Sequence, residues 1–88
     1  MGRSGVPAKA EGLYIERFAD ELTVYNPTDE SWHSLPEIPA AVFEACNGVR
    51  SSAERVAAVA DWTEAPVEID LVDRTILDLT EARLIVLD

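Results

Sequence analysis

The stretch of residues 22–48 constrains the fold most strongly, because signals for strand, turn, proline stop and helix follow one another within it. Leu22 and Val24 alternate with Thr23 and Tyr25, the period of two that is typical of a half-buried strand. Residues 26–30 read Asn-Pro-Thr-Asp-Glu, a composition that favours a turn. We therefore expect a second strand over residues 31–35 and a β-hairpin between the two.

Pro36 marks the end of the second strand. Because proline cannot donate to a ladder, its position predicts that residues 31–35 form an edge strand. A helix is predicted over residues 40–46, with an Asn-Gly pair after it that is typical of a helix C-cap. An edge strand offers unpaired backbone groups to another chain. This compact unit therefore favours peptide binding over a catalytic cleft.

Length and composition indicate one domain. Eighty-eight residues that are 48% hydrophobic supply one modest core, and the single cysteine excludes an intramolecular disulfide. Residues 1–10 are predicted to be a disordered tail and residues 11–88 the domain. Neither a signal-peptide pattern nor a long apolar run occurs, which favours a cytoplasmic protein without membrane contact.

The charge is strongly acidic, with 17 acids against 7 bases and a net charge of -10. Such a charge repels polyanions, and the arginines after residue 10 are scattered among carboxylates, so nucleic-acid binding is disfavoured.

The remaining chain predicts a third strand before the hairpin and two helices after the first. Residues 13–18 are a β-prone run, and the turn at 19–21 joins them to the hairpin as a meander. Ser51 and Glu54 fit a capping box for a helix over 52–61, which pairs with the first helix in a helix-turn-helix-like arrangement. Residues 62–65 are a predicted linker, and Pro66 suits the first turn of a helix over 67–82. Residues 84–87 form either a fourth strand or a packed terminal segment.

The fold class is thus α+β, a three-stranded antiparallel β-meander followed by three α-helices. In the third helix four apolar residues share the spacing of a core stripe: Ile69, Val72, Ile76 and Leu79. Leu71, Thr75 and Asp78 lie on a different face. The acids of this helix form either a wall for a basic ligand or a solvated surface, with the second favoured.

Few residues suggest chemistry. Cys46 and His33 could form a nucleophile and base, but Cys46 shares a helix face with Val42 and is predicted to be a buried hydrophobe. One histidine and one cysteine do not complete a usual zinc site, so we expect no metal and no cofactor. Trp32, on the presumed edge, is as suited to an interface as to packing, whereas Trp62 favours packing.

Residues 35–48, followed by the capped segment 51–57, resemble the PqqD-like peptide chaperones, also called RiPP recognition elements. The resemblance covers about residues 13–85 and consists of apolar positions and caps. Three residues depart from the family pattern: Glu37, Pro39 and Arg83. Glu37 stands where proline is frequent, Pro39 replaces a small residue, and Arg83 replaces a glycine near the end of the third helix.

The resemblance implies a winged helix-turn-helix-like domain that is not an enzyme. It would bind the leader segment of a ribosomally made precursor peptide by strand addition and present it to a RiPP maturation enzyme. The implied groove lies between the edge strand and the third helix. Its residues are Ser31, Trp32, His33, Ser34, Leu35, Leu71, Thr75 and Asp78. Two alternatives stay open: a winged-helix DNA-binding regulator, and a regulatory subunit that binds a folded protein.

Overall fold

The computed structural model describes residues 6–19 and 21–87 and shows a small α+β fold. A three-stranded antiparallel sheet precedes three helices, and two short strands form a second sheet. The elements in chain order are β1 (Pro7–Lys9), β2 (Tyr14–Phe18), β3 (Glu21–Asn26), β4 (Ser31–Leu35), α1 (Glu37–Ala45), α2 (Ser52–Thr63), α3 (Ile69–Glu81) and β5 (Ile85–Leu87).

The predicted meander is confirmed, with strand order β2-β3-β4. Leu22 and Val24 of β3 are buried, which fixes the register, since a slip of one residue would expose both. Glu21, expected in the first turn, begins β3 instead. Strand β4 lies at the edge of the sheet as predicted, and Pro36 follows it as the N-cap of α1.

The predicted disordered tail is wrong for residues 7–9, which form β1, whereas residues 1–5 lie outside the described residues. Strand β1 pairs antiparallel with β5, with Ala8 opposite Val86. The Gly48 amide also donates to the Pro7 carbonyl at 2.9 Å. Residues 85–87 are therefore a strand, paired with the start of the chain instead of with the meander.

Helix α1 begins at Glu37, earlier than predicted, and ends at Ala45. Pro39 therefore lies inside the helix, whereas the prediction began the helix after it. It lies in the first turn, where backbone N–H groups have no intrahelical acceptor, so the helix loses nothing there. Cys46 was expected inside the helix, but it is the C-cap with an extended backbone.

Helix α2 carries the predicted capping box. The Ser51 hydroxyl accepts from the Glu54 amide at 3.2 Å, and Glu54 Oε1 accepts from the Ser51 amide at 2.8 Å. The hydrogen bond from the Ser51 amide, with a smaller contribution from the Ser51 hydroxyl, lowers the pKa of the Glu54 carboxyl. The helix runs on to Thr63, so the prediction that Trp62 lies in a linker is wrong. Arg55 is unexpectedly buried, and its Nη1 donates to the Arg50 carbonyl.

Helix α3 starts at Ile69, so Pro66 precedes the helix and does not lie in its first turn as predicted. Val72, Ile76 and Leu79 lie in the core as predicted, but Ile69 is 47% exposed because it begins the helix, beyond the packed layer. The C-terminus is a Schellman motif: the Arg83 amide donates to the Thr80 carbonyl and the Leu84 amide to the Leu79 carbonyl, both at 3.0 Å. Arg83 adopts φ 65, the left-handed conformation that usually favours glycine there.

The core joins the inner face of the sheet to all three helices, with Phe43, Leu22 and Leu84 its largest fully buried side chains. Within the described residues no helix is long and apolar enough to cross a membrane.

Candidate functional site

Strand β4 directs alternate backbone groups toward solvent, and the register fixes which. Phe18 pairs with Glu21 across a two-residue connection, and a connection of this length closes on a hydrogen-bonded pair. Because hydrogen-bonded and non-hydrogen-bonded pairs alternate, Leu22 and Val24 of β3 direct their N–H and C=O groups toward β4.

The partners of these two residues on β4 are Leu35 and His33. Their backbone groups therefore point inward to β3. Trp32 and Ser34 are the residues whose N–H and C=O groups point to the free edge. An incoming strand would pair with these two, a parity that the sequence alone left open.

The side chains of β4 separate by face. Leu35 is 6% exposed and belongs to the core, and its backbone groups point to β3, so neither its side chain nor its backbone is available to an incoming strand. His33 shares the core-directed face with it. Trp32 and Ser34 point to the opposite, outer face, where Trp32 is 67% exposed. The five predicted β4 residues are thus split between two surfaces.

A hydrogen-bonded array closes the β3–β4 turn. The Ser31 hydroxyl donates to Asp29 Oδ1 at 2.6 Å and lies 2.8 Å from His33 Nε2. The hydrogen bond from the Ser31 hydroxyl lowers the pKa of Asp29. The Ser31 hydroxyl donates its proton to the Asp29 carboxylate and not to His33. The array therefore stabilises the start of β4 and does not activate Ser31 as a nucleophile. The sequence signal for this array is the presence of Asp29, Ser31 and His33 at alternate positions.

The three predicted residues on α3 have different environments. Leu71 is 43% exposed and Asp78 is exposed, as expected. Thr75 is buried, and its hydroxyl donates to the Leu71 carbonyl at 2.8 Å. The prediction that Thr75 lies off the core is wrong because it is only about 60° from Val72 around the helix.

Helix α3 approaches the sheet through its C-terminal end. Asn26 Nδ2, at the end of β3, donates to the Arg83 carbonyl at 3.4 Å. The body of α3 packs mainly on α1, α2 and β5. The structure thus brings the α3 C-terminus to the start of β4, while Leu71 lies near the other end of the helix.

The outer face of the sheet carries an aromatic ladder that the sequence analysis missed. The rings of Tyr14 and Tyr25 have centroids 6.2 Å apart, and those of Tyr25 and Trp32 are 4.7 Å apart. These residues occupy opposing positions on three strands. The signal was at least one aromatic residue in each predicted strand, and these residues form a row only once the register is known.

Cys46 is fully buried, as predicted, and burial raises the pKa of its thiol to about 11. It therefore stays protonated near neutral pH and is a poor nucleophile. Among the described residues no three His, Cys, Asp or Glu side chains gather into a metal-binding group.

A cavity of about 450 Å³ lies between α1 and α2. Three alanines line the cavity, and their small side chains leave it unfilled: Ala41, Ala45 and Ala58. The rest of the lining is Trp62, Glu44, Asp61 and Arg50. Lys9 already pairs with Glu44 at 3.0 Å, and Arg50 donates to the Ala45 carbonyl at 3.1 Å. None of the predicted peptide-binding residues lines this cavity.

Comparison with protein-family models, with curated proteins and with solved structures gave no match to this chain.

Proposed function

We propose that this domain is a non-catalytic, winged-helix-like peptide chaperone that binds the leader segment of a ribosomally made precursor and presents it to a modifying enzyme. The observation that carries the proposal is the free edge of β4, where Trp32 and Ser34 direct their backbone groups outward. The pattern resemblance to the PqqD-like chaperones adds to it. Strand addition gives affinity through main-chain hydrogen bonds and specificity through side chains.

The charge favours a basic leader. Helix α3 exposes a series of acids with Arg74 as the cation among them: Asp70, Asp73, Asp78 and Glu81. The same series argues against a DNA-binding regulator, since a recognition helix needs cations facing the phosphates.

The test is a titration of the ¹⁵N-labelled domain with N-terminal segments of short open reading frames beside its gene. Amide shifts should concentrate in β4 and α3. Shifts confined to β2, which is the other edge of the sheet, or to α1 and α2 would contradict the proposal. Ser34→Ala should bind normally and Ser34→Pro should bind poorly, because only the second lacks the outward amide.

A fluorescence-anisotropy titration with mixed-sequence duplex DNA tests the alternative. We expect no binding at physiological salt. Micromolar binding that weakens steeply with salt would favour the DNA-binding regulator.

A further inference from the structure

We propose that the outer face of the three-stranded sheet is a second binding surface, which receives an arginine-bearing segment of a partner protein. The outer face is defined by the side chains of β2, β3 and β4 that point away from the helices. This inference does not depend on leader binding, because a leader would lie in the plane of the sheet beside β4, whereas the partner would lie on the face.

The outer face is aromatic and exposed. Tyr14 and Trp32 are each 67% exposed and Phe18 is 83% exposed, although each is large and apolar. Tyr25 stands between Tyr14 and Trp32 and joins them into a row. Phe18 lies on the same face, four residues along β2 from Tyr14. Exposed apolar side chains that are contiguous in this way mark interaction surfaces.

The charge of the outer face is of one sign. Glu16 and Glu21 point to it, because Glu16 lies between Tyr14 and Phe18 in the alternation of β2 and Glu21 pairs with Phe18. Arg17 is the one arginine or lysine of the three strands, and it points to the opposite face, where it lies over Trp62. Aromatic rings with carboxylates and no cation among the outward side chains are complementary to a cation.

Arginine fits this surface better than a second copy of the chain. Its planar guanidinium stacks on aromatic faces and binds carboxylates in a fork. The chain itself contains such a contact, with Arg17 at 4.4 Å from the Trp62 centroid. A second copy would instead bring Glu16 and Glu21 against like charges, between molecules that each carry a net charge of -10.

The probe is the peptide acetyl-Gly-Arg-Gly-Arg-Gly-amide, compared with the peptide in which citrulline replaces both arginines. Titration of the ¹⁵N-labelled protein should move the Trp32 indole N–H and the amides of Tyr14, Glu16 and Tyr25. The citrulline peptide should bind about tenfold more weakly, and salt should weaken the arginine peptide. Equal binding of both peptides, no binding of either, or shifts concentrated on α3 would overturn the proposal.

Two variants of equal net charge separate this face from general acidity. Glu16→Lys should weaken the arginine peptide about tenfold, whereas Glu81→Lys, in the helical layer, should change it less than twofold. Glu16 is exposed. Dispersed amide spectra for both variants would establish that they fold. Equal weakening by the two substitutions would mean that the peptide responds to net charge alone, which would also overturn the proposal.

Discussion

The guanidinium of Arg17 lies 4.4 Å from the centroid of the Trp62 ring and thereby ties β2 to the end of α2. Every residue of β2 is exposed, and the strand contacts mainly β3. This cation–π contact is therefore a specific link between the outermost strand and the helical layer.

Loss of the Arg17 charge should destabilise the domain. We expect Arg17→Gln to lower the free energy of unfolding by about 0.5–1 kcal/mol, the range for exposed cation–π pairs. Glu16→Gln is the matched control, since its side chain points to the other face and should have little effect. Urea unfolding followed by circular dichroism measures both. Equal changes in the two variants would show that the Trp62 contact adds no stability.

Two neighbouring proline substitutions should differ in their effect on folding. The His33 amide points toward Val24 of β3, so His33→Pro should cost about 2 kcal/mol by removing a ladder hydrogen bond. Ser34→Pro should cost much less, because the Ser34 amide points to solvent. Thermal unfolding of the two variants checks the register, and a larger loss for Ser34→Pro would reverse the assigned parity.

Arg83 occupies a backbone position that suits glycine. Because its φ is 65, Arg83→Gly should raise the free energy of unfolding by about 1 kcal/mol. Arg74→Gly, in the interior of the same helix, should lower it by about 1 kcal/mol. Chemical denaturation gives both values. Destabilisation by Arg83→Gly would mean that the arginine side chain contributes more than the strained backbone costs.

The thiol of Cys46 should make stability fall at alkaline pH. Burial raises its pKa from 9.0 to about 11, so above pH 9 the unfolded chain releases a proton that the folded chain keeps. Stability present below pH 9 is therefore lost as the pH rises to about 11. Cys46→Ala should cost about 1–2 kcal/mol at pH 7, and this deficit should shrink with rising pH. If the loss of stability in Cys46→Ala stays constant from pH 7 to 11, the raised pKa of Cys46 is contradicted.

Local patterns predicted the elements that depend on neighbouring residues. The alternation at Leu22 and Val24, the turn at 26–30 and the Ser51–Glu54 capping box all act over a few residues, and the structure contains them. Strand β1 could not be found in this way, because its partner β5 lies at the opposite end of the chain. Its residues Pro-Ala-Lys have no strand propensity of their own.

In the candidate site, too, local features could be predicted and pairings between distant residues could not. The edge position of β4 followed from Pro36, but the outward parity of Trp32 and Ser34 required the pairing register. The aromatic ladder also joins residues that are distant in sequence, and only the alignment of three strands brings Tyr14, Tyr25 and Trp32 into one row.

Three aspartate substitutions on α3 test both its packing and the peptide groove. Val72 is 1% exposed, so Val72→Asp should unfold the domain by burying an unpaired charge. Leu71 and Leu77 are 43% and 59% exposed, so Leu71→Asp and Leu77→Asp should both fold with stability changed by less than about 1 kcal/mol.

The two exposed leucines lie about 120° apart around the helix, which makes Leu77→Asp the matched control for binding. If a leader rests against the side of α3 that carries Leu71, Leu71→Asp should weaken its binding at least about fivefold. Leu77→Asp should not weaken it. Calorimetric titration with the same leader measures the difference. Weakening by Leu77→Asp alone would move the groove to the other flank of α3, and normal binding by both variants would confine the leader to the edge of β4.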